Sequence, residues 1–248
     1  MAASERALTM GNQHERVTPD APAALSVRGL RFGYGRGWTV HLPTLEIAAG
    51  EQVLLTGGSG TGKSTLLHLI AGLIDPAEGR VEIAGQGVHA LAGAKRDLFR
   101  GQHVGMIFQT FHLLEGFSAR ENVLAALMFS SIPPREHDRR AADLLARLGV
   151  QRIDAAAGEL SVGQQQRVAV ARAVACGPAL VLADEPTASL DPENAARAMD
   201  VIQSACRDQN AALLCTSHDP SMVARFSRSL ALESIATFAG ESNPQEAR

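Results

Sequence analysis

Nine consecutive residues, Gly57-Gly58-Ser59-Gly60-Thr61-Gly62-Lys63-Ser64-Thr65, carry the most specific chemistry in the chain. They fit the pattern G-x-x-x-x-G-K-[ST]. Its glycines let the backbone turn tightly with N–H groups directed inward, a cradle for a polyphosphate. Lys63 is spaced to reach the β- and γ-phosphates, and Ser64 to offer a hydroxyl to Mg²⁺. Three other polar positions belong to the same chemistry. Asp184-Glu185 end an apolar run; Asp184 suits a direct or water-mediated contact to Mg²⁺, and Glu185 suits a base that orients the attacking water. Gln109 is a candidate ligand for the metal or the water. His218 is a candidate γ-phosphate contact, although a lone histidine is more often structural and gains weight only from the whole constellation.

These residues need elements to hold them. Val53-Leu54-Leu55 leads into the phosphate loop, and Leu66-Leu67-His68-Leu69-Ile70 leaves it as a helix that Gly72 ends. Residues 104–108, 179–183 and 212–216 are apolar runs, as strands buried on both faces should be. They deliver Gln109, Asp184-Glu185 and Ser217-His218, and ligands of open α/β sheets collect beyond such strand ends. Residues 25–30, 41–47 and 81–83 read as further strands, the second with one exposed face, and Glu78-Gly79 as a turn.

After Gln109 the pattern becomes helical. A helix over 120–129 is broken at Pro133-Pro134, and an amphipathic helix with Ala141, Leu144, Leu145 and Leu148 on one face closes at Gly149. Residues 110–160 thus read as a helical lobe inserted into an α/β core. Phe111, Leu113, Leu114 and Phe117 either pack within that lobe or form a docking surface for another protein. A helix over 161–175 starts with Ser161, a good N-cap. Ser161, Gly163 and Gln164 are an ordinary helix start, or else a second anion site. If Lys63 sits on the γ-phosphate within one subunit, the sequence permits that second site to serve a nucleotide held by another subunit. Another helix spans 192–207. Tyr34, among glycines, either stacks on an adenine or packs over a sheet edge. Residues 1–22 read as a flexible extension and 237–248 as a flexible tail around one domain, 23–236.

Composition narrows the class. The 248 residues are 46% hydrophobic, enough for a sizeable core, and the net charge is −3 with 4% aromatics, which argues against a nucleic-acid partner. Cys176, Cys206 and Cys215 match no zinc or redox spacing and read as reduced thiols of a cytosolic protein. No apolar stretch approaches the ~20 residues of a bilayer span, so the expectation is no direct membrane insertion and a membrane role only through a partner.

Taken together, the chain resembles the nucleotide-binding subunits of ATP-binding-cassette (ABC) systems over about residues 25–233. The resemblance rests on the phosphate loop, Gln109, the signature 160–164 continuing as Gln165-Gln166-Arg167, the strand ending Asp184-Glu185-Pro186-Thr187, Ala188-Ser189-Leu190-Asp191 as D-loop, and His218. It implies a P-loop α/β fold with a mixed sheet core, an antiparallel β subdomain and an inserted helical subdomain. It implies an ATPase that binds ATP and Mg²⁺ between two copies of itself. Lys63 would neutralise phosphate charge. Ser64, Gln109 and Asp184 would serve the metal. Glu185 would be the base, His218 the γ-phosphate sensor and Tyr34 the adenine platform, while Ser161 and Gly163 would act in trans. The family usually has glycine where this chain has Val162; the cap and Gly163 remain, so retained hydrolysis is expected.

Phe108-Gln109-Thr110-Phe111-His112-Leu113-Leu114 with Glu121-Asn122-Val123 is similar to ATPases of lipoprotein-releasing, macrolide-exporting and cell-division systems. That implies a transmembrane permease partner and a peripheral place on the cytoplasmic face of the inner membrane. The alternative is a non-transporting ATPase that signals through a membrane partner to an extracytoplasmic enzyme.

Overall fold

A computed structural model describes residues 23–34 and 38–239, with the backbone alone at Tyr34 and Trp38. Two five-stranded sheets organise it. The first is antiparallel. Its strands β1 (Ala23–Tyr34) and β2 (Trp38–Ala48) pair Leu25 with Ile47, Val27 with Leu45 and Leu30 with Leu42. These six apolar side chains are buried, while Arg28 and Glu46 meet in an exposed ion pair at 3.2 Å; the alternation of a half-covered sheet holds over 25–27 and 45–47 and slips by one residue between Val27 and Leu30, where Gly29 has φ +59°. The second strand is longer than the 41–47 read from sequence.

In the second sheet, β3 (Gln52–Thr56), β6 (Val104–Ile107), β7 (Leu180–Asp184), β8 (Ala212–Ser217) and β9 (Arg228–Ala231) run parallel in the order β6-β7-β8-β3-β9. Both faces are covered. Val53, Leu55, Leu180, Leu182 and Leu214 point into a core shared with the antiparallel sheet and helix α1 (Lys63–Ile70). Leu54, Val181, Ala183, Leu213 and Cys215 point the opposite way. There they meet α3 (Ala119–Leu127), α4 (Pro134–Arg147), α5 (Val162–Val174) and α6 (Pro192–Asp208). Neighbouring residues on one strand thus serve different cores, which is why these strands read as uninterrupted apolar runs.

Glycine fixes two helix ends as expected. Gly72 (φ +70°) lets its N–H reach Leu69 O and Leu73 N–H reach His68 O, and Gly149 (φ +72°) closes α4 with the same pair of bonds. Elsewhere the structure departs from the sequence reading. Glu78-Gly79 is not a turn. It begins β4 (Glu78–Ile83), where Gly79 opposes a register shift in β1; a Cβ there would lie 2.4 Å from Gly29 O. After β4, Ala84-Gly85 makes a two-residue hairpin to β5 (Gln86–Gly87). Helix α2 (Ala94–His103) follows and was not foreseen; it buries no residue fully and so lacks an apolar stripe. Likewise, residues 237–239 are not tail. After α7 (Leu232–Ile235) they form β10 (Thr237–Ala239), an edge strand paired with β2. The 1–22 extension and the rest of the expected tail lie outside the described residues.

Candidate active site

Strands β7, β8 and β3 are adjacent and parallel, so their C-terminal ends share one edge. Asp184-Glu185, Ser217-His218 and the phosphate loop emerge there side by side. Gln109 leaves β6 at the flank of that edge and is exposed.

Lys63 opens α1 behind Gly62, whose φ of +98° a side chain would strain; the helix start carries no side-chain cap. An uncapped first turn directs backbone N–H groups and the positive end of the helix dipole toward the loop interior. Ser64, the next residue, is exposed. Lys63 itself is only 4% exposed, and its Nζ donates to Gly57 O at 2.9 Å and Gly58 O at 2.8 Å. It also stands 3.4 Å from Glu185 Oε1. A buried ammonium is costly unless paired, and here the loop's own carbonyls and one carboxylate satisfy it.

Glu185 is the hub. Its Oε2 accepts from His218 Nδ1 at 2.6 Å. An ionised carboxylate only accepts, so in that pairing Nδ1 is the donor. Glu185 has φ +44°, a left-handed conformation that costs a non-glycine residue about 1–2 kcal/mol. Thr216 helps hold it there. Its Oγ1 accepts from Glu185 N–H at 2.9 Å and donates to Asp184 Oδ1 at 2.8 Å. One buried hydroxyl therefore fixes both acidic residues. Sequence reading missed this role and placed Thr216 only within a strand; the available signal was a hydroxyl ending an otherwise apolar run. Glu233, at the start of α7, was also missed: its Oε1 accepts from Gly58 N–H at 3.3 Å.

The Gln109 segment is anchored from two sides. The fully buried Asn122 accepts from Leu114 N–H at 2.7 Å and donates to Ser118 O at 3.0 Å. Arg172, on α5, donates to Phe111 O and His112 O, and burial draws its pKa below the usual arginine value. Leu113 packs on the core, whereas Leu114 and Phe117 are exposed. His112 of this segment also lines a cavity of about 570 Å³, with Leu73, Met106, Phe108, Phe129 and Arg172 among others.

The expected second anion site stands apart from this cluster. Ser161 caps α5 in a capping box: its Oγ accepts from Gln164 N–H, and Gln164 Oε1 accepts from Ser161 N–H, both at 3.4 Å. Val162 is 56% exposed, and a Cβ on Gly163 would meet nothing within 4 Å. One turn further, Gln166 Nε2 donates to Pro186 O at 3.2 Å and ties α5 to the segment after Glu185. Asp191 of the D-loop caps α6, accepting from Asn194 N–H, and that bond holds its carboxyl below the usual range. The Tyr34 side chain lies outside the described residues.

A P-loop turn leading into a helix, a carboxylate hub and a histidine bonded to it, all on one parallel edge, are the frame of a P-loop nucleotide hydrolase. The family model described as ABC transporter matches residues 40–188. The lipoprotein-releasing system ATP-binding protein LolD of Granulibacter bethesdensis is 44% identical over 189 residues, covering 76% of this chain and 82% of that protein. The macrolide export ATP-binding/permease protein MacB of Nitrosomonas europaea is 38% identical over 218 residues, 86% of this chain; the match spans only 33% of that protein. A dimeric post-hydrolysis structure of the ATP-binding cassette MJ0796, bound to ADP and Pi, has a TM-score of 0.71 at 30% identity, covering 84% of this chain and 93% of that one. CbiO1 from Clostridium perfringens, part of the ABC transporter complex cbiONQ, has a TM-score of 0.75 at 26% identity, with 91% and 90% coverage. The chain belongs to the ABC transporter family and is one of its ATPase cassettes.

Proposed function

We propose that this chain hydrolyses ATP within a dimer of two copies and uses the resulting motion to drive a membrane permease of the lipoprotein-releasing or macrolide-exporting kind. The contact series Lys63–Glu185–His218 beside the phosphate loop carries the proposal. ATP enters with its triphosphate on the loop 57–65, and Lys63 shifts from the loop carbonyls to the β- and γ-phosphates. Glu185 orients a water in line with the γ-phosphorus and takes its proton as the new P–O bond forms and the β–γ bridge breaks. His218 presents Nε2 to the γ-phosphate. Ser161, Gly163 and Gln164 of the other copy close over the same phosphate. Tyr34 is the candidate adenine platform.

Ser64, Gln109 and Asp184 offer a hydroxyl, an amide oxygen and a carboxylate, the hard oxygen donors that suit Mg²⁺. When bound, the ion neutralises charge on the β- and γ-oxygens.

No helix among the described residues is long and apolar enough to cross a membrane. In this reading the face offered to the permease comprises the exposed Leu114 and Phe117 and the cavity lined by Phe108, His112 and Phe129, and the chain works peripherally on the cytoplasmic face of the inner membrane.

The test is Glu185→Gln. ATP binding survives, hydrolysis falls about a hundredfold or more, and ATP-dependent dimers accumulate on a sizing column. Normal turnover in that variant removes Glu185 from the catalytic role.

A further inference from the structure

We propose that Arg172 is a positioning residue for hydrolysis, clasping the Gln109 segment to the helix that begins at Ser161. The inference rests on the function proposed above and names a connection within it. Arg172 donates to two consecutive carbonyls, Phe111 O at 2.8 Å and His112 O at 2.5 Å. Among the described residues it makes no ion pair with a carboxylate, so these carbonyls are the acceptors that meet its charge. A planar guanidinium fork matches such a pair, whereas an ammonium presents a single point charge.

The held segment is shaped for the contact. His112 has φ +45°, left-handed for a residue that gains nothing intrinsically from it. Its ring lies 4.7 Å from that of Phe108, and its Nε2 meets Thr110 Oγ1 at 2.7 Å. The chain therefore folds back from Phe108 to His112 with Gln109-Thr110 at the apex. His112 thus contacts the residues on both sides of Gln109.

On the other side, Arg172 belongs to α5. Ten residues of helix separate it from Ser161, eleven steps or about 16 Å at the helical rise. Gln166 of the same helix holds Pro186, next to Glu185. Arg172, Phe108 and His112 also line the 570 Å³ cavity. One helix thus touches the Gln109 segment, the Glu185 segment, the trans phosphate site and the face offered to the permease. Arg172 is its bond to the first of these.

The experiment compares the full-length wild type with Arg172→Lys and Arg172→Gln. In the nucleotide-free proteins, amide hydrogen exchange over 109–114 accelerates about tenfold in Arg172→Gln and less in Arg172→Lys. Affinity for a fluorescent ATP analogue without Mg²⁺ stays within about threefold. Turnover falls about tenfold, and the Mg²⁺ concentration for half-maximal rate rises by a similar factor. A purely structural arginine lowers the melting temperature and moves neither the local exchange nor the Mg²⁺ dependence. Folded variants with wild-type exchange over 109–114 and wild-type Mg²⁺ dependence overturn the proposal.

If neither variant folds, the wild type decides: adding Mg-ATP must change protection of 109–114 and 161–172 together, and a change in the first alone overturns the clasp. Failure of the proposed function has a different signature, since normal turnover in Glu185→Gln removes that reading while the nucleotide-free exchange result still reports on the clasp.

Discussion

At the parallel-sheet edge, Lys63, Glu185, His218, Thr216 and Asp184 form one series of contacts, none longer than 3.4 Å. At the first turn of α5, Ser161 and Gln164 bond each other, while Val162 and Gly163 face solvent. The two regions hold the most specific sequence signals in the chain, yet one is assembled and the other is presented. That contrast is what a divided active site requires. In the proposed dimer, the groups fixed relative to each other come from one edge of one sheet, and the groups proposed to complete the site lie open on a helix end.

Mixing variants breaks or sharpens this contrast most strongly. Lys63→Ala damages the assembled half and lowers kcat/KM about a thousandfold. Gly163→Asp damages the presented half; a side chain fits there, but its carboxylate opposes the incoming phosphate. Each variant alone is nearly inactive. Combined, they regain about a quarter of wild-type turnover, because half of the dimers are mixed and each mixed dimer holds one intact site. Absence of recovery in the ATPase assay means that both halves act within one chain.

A smaller effect tests how firmly the edge is assembled. Thr216→Val removes the acceptor of Glu185 N–H and the donor to Asp184. Chemical denaturation should show a loss of about 1–3 kcal/mol, and kcat should fall about tenfold. An unchanged kcat means that Glu185 holds its left-handed conformation without the hydroxyl. The smallest change is expected at the open half. Val162→Gly alters hydrolysis by less than about threefold, since its side chain already points into solvent. A rise from near zero to normal turnover shows instead that the valine blocks the approach of the opposing nucleotide.

Much of the edge was legible because its residues obey local rules. Apolar runs gave β6, β7 and β8, and the residues directly after them were the candidates. Gly72 and Gly149 announced helix ends because only the left-handed bonds of such caps call for glycine there. What stayed hidden depended on contacts between distant segments. Thr216 sits 31 positions from the Glu185 amide it accepts from, and Arg172 sits 60 positions from His112. Helix α2 was invisible because it buries no residue fully and Phe99 is its one apolar residue packed against the core, and β9 because its residues are alternately half-buried and exposed over only four positions. Glu78-Gly79 read as a turn because glycine at a strand bulge and glycine at a turn look the same without the opposing strand.

The placement of Lys63 has a consequence for what the loop tolerates. The ammonium is only 4% exposed and is met by Gly57 O, Gly58 O and Glu185. Both carbonyls belong to the loop itself, so the direction of two peptide groups is tied to the charge of one side chain. A neutral residue at position 63 leaves those carbonyls without the donor they face.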